Sequence, residues 1–234
     1  MGKIGLQHQN LDQKVYQALR TMIVERELTP GTKIFQDKLA QELGVSRTPL
    51  VNALKRLEHE RLVTSIPRRG YFIRLLSKEE MIQVFELREV LEGLAARRAA
   101  RCVTDSQLEQ FQRFFQHVAL SDSEDDLKKY AEEDRQFHRY LLHVGENELL
   151  TSILDTYNVL AFSYQGDRVA GLIRSPQETI KEHLAIIEAI CARNPGKAEA
   201  VAREHLANSV TRLRQELSGE TPNGSLRKTP DAEA

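Results

Sequence analysis

The sequence predicts a mainly α protein in two units. The first, residues 1–76, is three short helices followed by a two-stranded ribbon; the second, residues 77–217, is an all-α antiparallel helical bundle. Three observations carry this. Apolar residues recur at helical spacing almost throughout the 234 residues. The period shortens only around Leu62 to Ile66 and Tyr71 to Leu75, on either side of Pro67-Arg68-Arg69-Gly70. The charge also changes sign along the chain. Residues 1–76 hold 13 lysines and arginines against 7 aspartates and glutamates, and the rest holds 20 against 27. A basic head on an acidic body suggests two units with different partners, one of them a polyanion.

Residues 11–27 read as a helix with Val15, Leu19, Met22 and Ile23 inward. Thr29-Pro30-Gly31-Thr32 is a turn. A short helix over 36–43 stops at Gly44, and Ser46 caps a third over 47–59 with Leu50, Leu54 and Leu57 inward. With the ribbon, this order describes a winged helix-turn-helix. Beyond the cap Ser77, helices are expected at about 78–100, 104–119, 124–144, 147–164, 175–193 and 197–217. The polar tail, 218–234, is expected to be disordered. No apolar run reaches the roughly 20 residues that span a membrane, and no secretory signal is evident. Two distant cysteines, Cys102 and Cys191, fit neither a disulfide framework nor a metal pair, so a cytoplasmic home is expected. Cys191 reads as a small buried filler.

In the head, Ser46-Arg47-Thr48 places short polar groups and one guanidinium at a helix N-terminus, where free N–H groups and the helix dipole suit phosphate. Arg47 has the fork to pair with a guanine edge, while Ser46 and Thr48 suit backbone contacts. Lys55 and Arg56 add charge along the helix. Gly70 keeps the wing tip narrow, with Arg68 and Arg69 free to reach the minor groove or phosphates. Each feature alone is an ordinary helix cap or turn. It is their order, with the local charge, that points to DNA.

The second unit carries an anomaly. In AEEDRQFHRYLL the apolar stripe is Leu127, Tyr130, Ala131, Phe137, Leu141 and Leu142, and Asp134 and His138 fall inside it. His183 lies on the apolar side of IKEHLAIIEAI, with Ile180, Leu184, Ile186, Ile187 and Ile190. His205 lies beside the face of Val201, Ala202, Leu206, Val210 and Leu213. A lone buried imidazole usually hydrogen-bonds a neighbour. One Asp and three His from three helices can instead complete a divalent-metal shell, zinc first, with nickel, copper, iron or manganese also admitted.

Residues 11–75 resemble the winged-helix domain of the GntR family of bacterial transcriptional regulators, through LTPGTKI, LAQELGVSRTPL, ALKRLEHERLV and RRGYFI in order. That family follows the Thr-Pro pair with a hydrophobic residue and then Arg-Glu, with that Arg on DNA; here the last two positions are Val51 and Asn52, so a recognition contact is missing or altered, and Asn52 is kept among the expected DNA-binding residues. Residues 80–214 resemble the FCD ligand-binding domain of the FadR subfamily, through VFELREVLEGLAARRAA, AEEDRQFHRYLLHVGENELL, IKEHLAIIEAI and AREHLANSV. The resemblance implies metal ligands at Asp134, His138, His183 and His205, and a small organic acid bound at the metal with Arg88. Read without the resemblance, Arg88 is an ion pair with Glu89 or Glu92. The expected function is a homodimeric regulator, a repressor, with two recognition helices about 34 Å apart on operator DNA. The alternatives are a metal-dependent hydrolase, a direct metal sensor or a purely structural ion. The stretch Tyr157 to Ile173 is expected to shape the pocket, and the junction at Leu75 to Lys78 to pass movement to the heads.

Overall fold

The computed structural model describes residues 6–119, 121–145, 147–163 and 172–219. Residues 164–171, in the stretch expected to shape the pocket, and the tail beyond Gly219 lie outside the described residues. The chain packs as two compact units that part between Leu76 and Ser77.

In the first unit, α1 (Leu6–Val24), α2 (Gln36–Glu42) and α3 (Arg47–His59) precede β1 (Val63–Ile66) and β2 (Gly70–Ile73). Helix α1 begins five residues earlier than its apolar spacing suggested. Tyr16 joins Val15, Leu19 and Ile23 in its buried face, and Met22 is only half-buried. The Tyr16 hydroxyl donates to the Glu60 carboxylate at 2.7 Å. Ala40 is buried, and Gly44 takes φ 64°, the left-handed turn between α2 and α3. The wing is antiparallel with Val63 opposite Ile73 and Ile66 opposite Gly70. Its edge is extended by the turn residues: Gly31 N–H donates to Ile73 O, and Ile34 N–H to Tyr71 O.

The second unit is helical throughout its described residues: α4 (Lys78–Cys102), α5 (Asp105–Arg113), α6 (Glu124–Val144), α7 (Glu148–Ser163), α8 (Pro176–Cys191) and α9 (Pro195–Ser218). Local chemistry sets the boundaries. Ser77, Thr104 and Ser175 each close a capping box, with Glu80, Gln107 and Glu178. Helix α9 starts at Pro195, inside the expected turn, because Asn194 accepts from Lys197 N–H and Pro195 suits the first helical position. Helices α4 and α9 approach closely at Gly93, where a Cβ would meet the Arg203 side chain at 2.4 Å. In α8, Leu184 is exposed, not inward; the buried stripe is Thr179, His183, Ile186, Ile187 and Ile190. Cys191 is half-buried against the core, not enclosed, and burial raises its thiol pKa.

Helix α5 ends six residues before the apolar pattern suggested. Phe114 turns the chain out of the helix, and Phe115 takes φ 63°. A bulky side chain is strained in that region. What offsets the strain is burial: both rings enter the core, and Phe115 stacks on His183 with centroids 4.7 Å apart and planes parallel to 1°. Phe115→Ala is expected to lower the stability of the C-terminal unit by about 3–5 kcal/mol, read from its unfolding transition in urea. A loss under about 1 kcal/mol would mean the ring is not a core element.

Candidate metal and effector site

Helices α6, α8 and α9 bring His138, His183 and His205 together, each with under a tenth of its surface exposed. One ring nitrogen from each lies within 4.8 Å of the other two. The ring centroids of His183 and His205 are 4.4 Å apart. Asp134 Oδ1 lies 3.2 Å from His183 Nε2 and 3.7 Å from His138 Nε2. The i, i+4 spacing of Asp134 and His138 on α6 thus delivers both to one face.

The outer nitrogen of every ring is already taken. His138 Nδ1 is 2.5 Å from Glu92 Oε2, His205 Nδ1 is 2.7 Å from Glu182 Oε2, and His183 Nδ1 is 3.0 Å from the Tyr130 hydroxyl. Tyr130 in turn meets Thr179 Oγ1 at 2.6 Å. Carboxylates only accept, so Glu92 and Glu182 fix the proton of their histidines on Nδ1 and leave Nε2 with its lone pair inward. Burial alone would raise both glutamates. Arg88 and His138 outweigh it and hold Glu92 at about 2; His205 and Arg174 do the same for Glu182. His183 is driven well below the usual imidazole range by burial first, then by the neighbouring rings. His205 is also lowered, chiefly by burial.

This donor set fits a divalent ion. Buried polar atoms are normally paired, yet His183 Nε2 is buried with no hydrogen-bond partner. An electron-pair acceptor at the centre would satisfy it. Three imidazoles and one carboxylate suit zinc, and also nickel or manganese.

Arg88 is buried, with Nε 2.7 Å from Glu92 Oε1 and its guanidinium 4.9 Å from the Phe85 ring centroid. The ion pair expected from its sequence neighbours is therefore the one with Glu92. Arg88 also lines an open cleft, with Asp134, His138, Arg174, Thr179 and His205 among its walls.

Glu92, Tyr130, Glu182 and Arg174 escaped the sequence reading. Glu92 was weighed only as an ion-pair partner, although Arg88 and Glu92 stand four apart on α4. Glu182 precedes His183 and reads as surface charge; only the packing of α8 on α9 turns it to His205. Arg174 lies beyond Ile173, in a segment without helical period.

In the head, Ser46, Arg47 and Thr48 are exposed at the start of α3. Ser46 has cap backbone geometry, but its side chain makes no cap bond, contrary to expectation. The first-turn N–H groups therefore take no bond from it and stay open to an anion. Arg47 forks onto Asp37, with Nε 2.6 Å from Oδ1 and a terminal nitrogen 2.9 Å from Oδ2. Asn52 Nδ2 donates to Asp12 at 3.0 Å. Lys55 is exposed. Arg56 instead folds back, 3.7 Å over the Tyr16 ring and bonded to Gln13 and Glu60, so its role is packing. At the wing tip Arg68 (φ 63°) and Gly70 (φ 92°) make the tight turn, and Arg69 lies 5.5 Å over Phe72.

Family comparison matches residues 11–73 to "Bacterial regulatory proteins, gntR family" and residues 83–208 to "FCD domain". The chain is a GntR-family transcriptional regulator with an FCD domain. The HTH-type transcriptional repressor RspR of Escherichia coli K12 is 26% identical over 220 residues, covering 90% of this regulator and 93% of that protein. LutR of Bacillus subtilis is 29% identical, covering 80% and 94%. The solved structure of E. coli McbR/YncC shares the fold with a TM-score of 0.70 at 19% identity, over 88% of this regulator and 98% of that chain. RspR and LutR are by name transcriptional regulators, and the two matched families are those of regulators; the hydrolase alternative is set aside. No described helix is long and apolar enough to cross a membrane.

Glu92 and Glu182 are held far below the carboxylate value of 4.5. A depressed group adds stability above its unfolded pKa and loses it as pH falls through the folded one. The C-terminal unit is therefore expected to lose stability progressively from about pH 4.5 to about pH 2. Urea melts of the metal-free protein across that window check this. Glu182→Gln should flatten part of the slope; an unchanged slope would contradict the assignment.

Proposed function

We propose that this regulator is a cytoplasmic homodimeric repressor whose hold on a pseudo-palindromic operator is set by a small carboxylate metabolite. The acid binds in the cleft of the C-terminal unit, at a divalent ion held by Asp134, His138, His183 and His205. Zinc is the first choice for the ion, with nickel or manganese next. A bound ion would supply the positive charge that receives the acid's carboxylate. The single observation that carries this reading is the convergence of one ring nitrogen from each of three buried imidazoles whose Nδ1 atoms are already tied. Arg88, on the wall of the same cleft, supports an anionic ligand. The repressor named among the relatives supports the direction of control.

On the DNA side, Ser46 and Thr48 take phosphate, Arg47 reads a base edge, and Asn52 and Lys55 extend the contact along α3. Arg68, Arg69 and Gly70 form the wing contact. The Arg47–Asp37 fork supports this role for Arg47. It pre-orients the guanidinium at the helix start, and the pair is solvent-exposed, so little holds it against a competing guanine. To regulate, the acid must favour one arrangement of the heads over another; tight binding alone shifts nothing.

Arg47→Ala is expected to weaken operator binding and relax discrimination at one base pair by about 1–3 kcal/mol, measured by fluorescence anisotropy with operator and random duplexes. Equal curves for variant and wild type would remove Arg47 from recognition. His138→Ala combined with His205→Ala is expected to abolish stoichiometric metal in elemental analysis, and with it the acid-dependent change in operator affinity. Full metal content in that variant would sink the proposed site. Arg88→Lys, which keeps a positive charge beside Glu92, should weaken acid binding in calorimetry while leaving the metal in place.

A further inference from the structure

Two chains of contacts run from the cleft wall to the imidazoles, and they have the same order of groups. On α4, Arg88 holds Glu92, which takes His138 Nδ1. On the second, Arg174 holds Glu182 with both terminal nitrogens, at 2.6 and 2.7 Å, and Glu182 takes His205 Nδ1 at 2.7 Å. Asn208 Nδ2 adds a fourth bond to Glu182 at 2.7 Å, so both oxygens of that carboxylate are fixed. The two histidines served are stacked, with centroids 5.5 Å apart. Arg174 side-chain exposure is 10%, and the residue lines the same cleft as Arg88.

We infer that Arg174, Glu182 and His205 form a relay between effector and ion: Glu182 is a positioning residue for His205, and Arg174 is a second guanidinium for the acid. This rests on the metal-and-acid reading of the site. A carboxylate seated against Arg174 draws part of the guanidinium away from Glu182. The freed carboxylate accepts more strongly from His205 Nδ1–H, and His205 Nε2 becomes the better donor. Acid and ion therefore strengthen each other's binding, and by linkage the factor is the same in both directions. Removing the charge of Glu182 weakens the ion, whereas removing Arg174 chiefly removes the coupling.

The test uses the full chain, zinc as the ion and acetate as the probe acid. Zinc affinity is measured by chelator competition with and without acetate for wild type, Glu182→Gln and Arg174→Gln. The visible spectrum of the cobalt-loaded forms is recorded alongside. In wild type, acetate is expected to tighten zinc by at least about 5-fold. Glu182→Gln is expected to lower zinc affinity by about 10- to 100-fold and to shift the cobalt bands, which a purely structural role would leave in place. Arg174→Gln should bind zinc within about 3-fold of wild type yet lose the part of the acetate effect that does not come from the acid's own contact with the ion. Zinc affinity, cobalt spectrum and acetate effect all unchanged in both variants would overturn the relay while leaving the site intact. A wild-type protein that binds no zinc overturns the underlying reading instead. If Glu182→Gln does not fold, the acetate effect in Arg174→Gln decides alone, since its full persistence overturns the relay.

Discussion

Everything in the C-terminal unit is arranged around the cost of burying three imidazoles among aromatic rings. An unpaired buried polar group costs on the order of 1–3 kcal/mol, and there are six ring nitrogens to satisfy. The fold meets three of these demands with Glu92, Tyr130 and Glu182, from three different helices. Two of these solutions create another demand, because the partners are charges, Glu92 buried and Glu182 half-buried. Arg88 and Arg174 meet those. The result is a polar network that closes outward, toward the cleft, and stays open inward, at His183 Nε2. Breaking it at one member leaves a buried charge behind, the costly way to disturb such a network.

That inward opening also explains the strained turn after α5. A continued α5 would keep Phe115 in right-handed helical geometry. The left-handed residue instead lays the ring flat against His183, parallel within 1°. Tyr130 and Phe137 flank the same imidazole. His183 is thus held on one face by apolar rings and at Nδ1 by a hydroxyl, and Nε2 is left pointing to Asp134 and the other rings. Backbone strain here sits beside the candidate site, where it fixes a ring's orientation.

Much of this was legible in the sequence, for identifiable reasons. The helices carry a clear 3.6-residue period and strong caps, and the wing is bounded by a turn-forming run, so element types follow from local rules. Asp134, His138 and His183 stood out because polar residues interrupted an apolar stripe. Their partners did not stand out. Glu182 and Arg174 look like ordinary surface charges along the chain, and become interior only through the packing of α8 against α9. The end of α5 was missed for a related reason: Phe114 and Phe115 fit the helical period, and only the tertiary burial of both rings outweighs continuing the helix. Leu184 erred the other way, since His183 holds the inward position that hydrophobicity alone would have given to its neighbour.

The same network separates a receptor from a catalyst. Hydrolysis at an ion needs a general base poised near neutral pH within reach of the attacking water. The site has two extra carboxylates at the right depth, but Glu92 and Glu182 are each gripped by a guanidinium and an imidazole N–H and sit near 2. At that value they are weak bases at pH 7, and their oxygens already have partners. Tyr130 is pushed up by burial, then by Asp134, and stays protonated. Glu92, Glu182 and Tyr130 are thereby each held in one protonation state at neutral pH. That suits recognition of an anion by fixed charges, and it agrees with a family of relatives that regulate transcription.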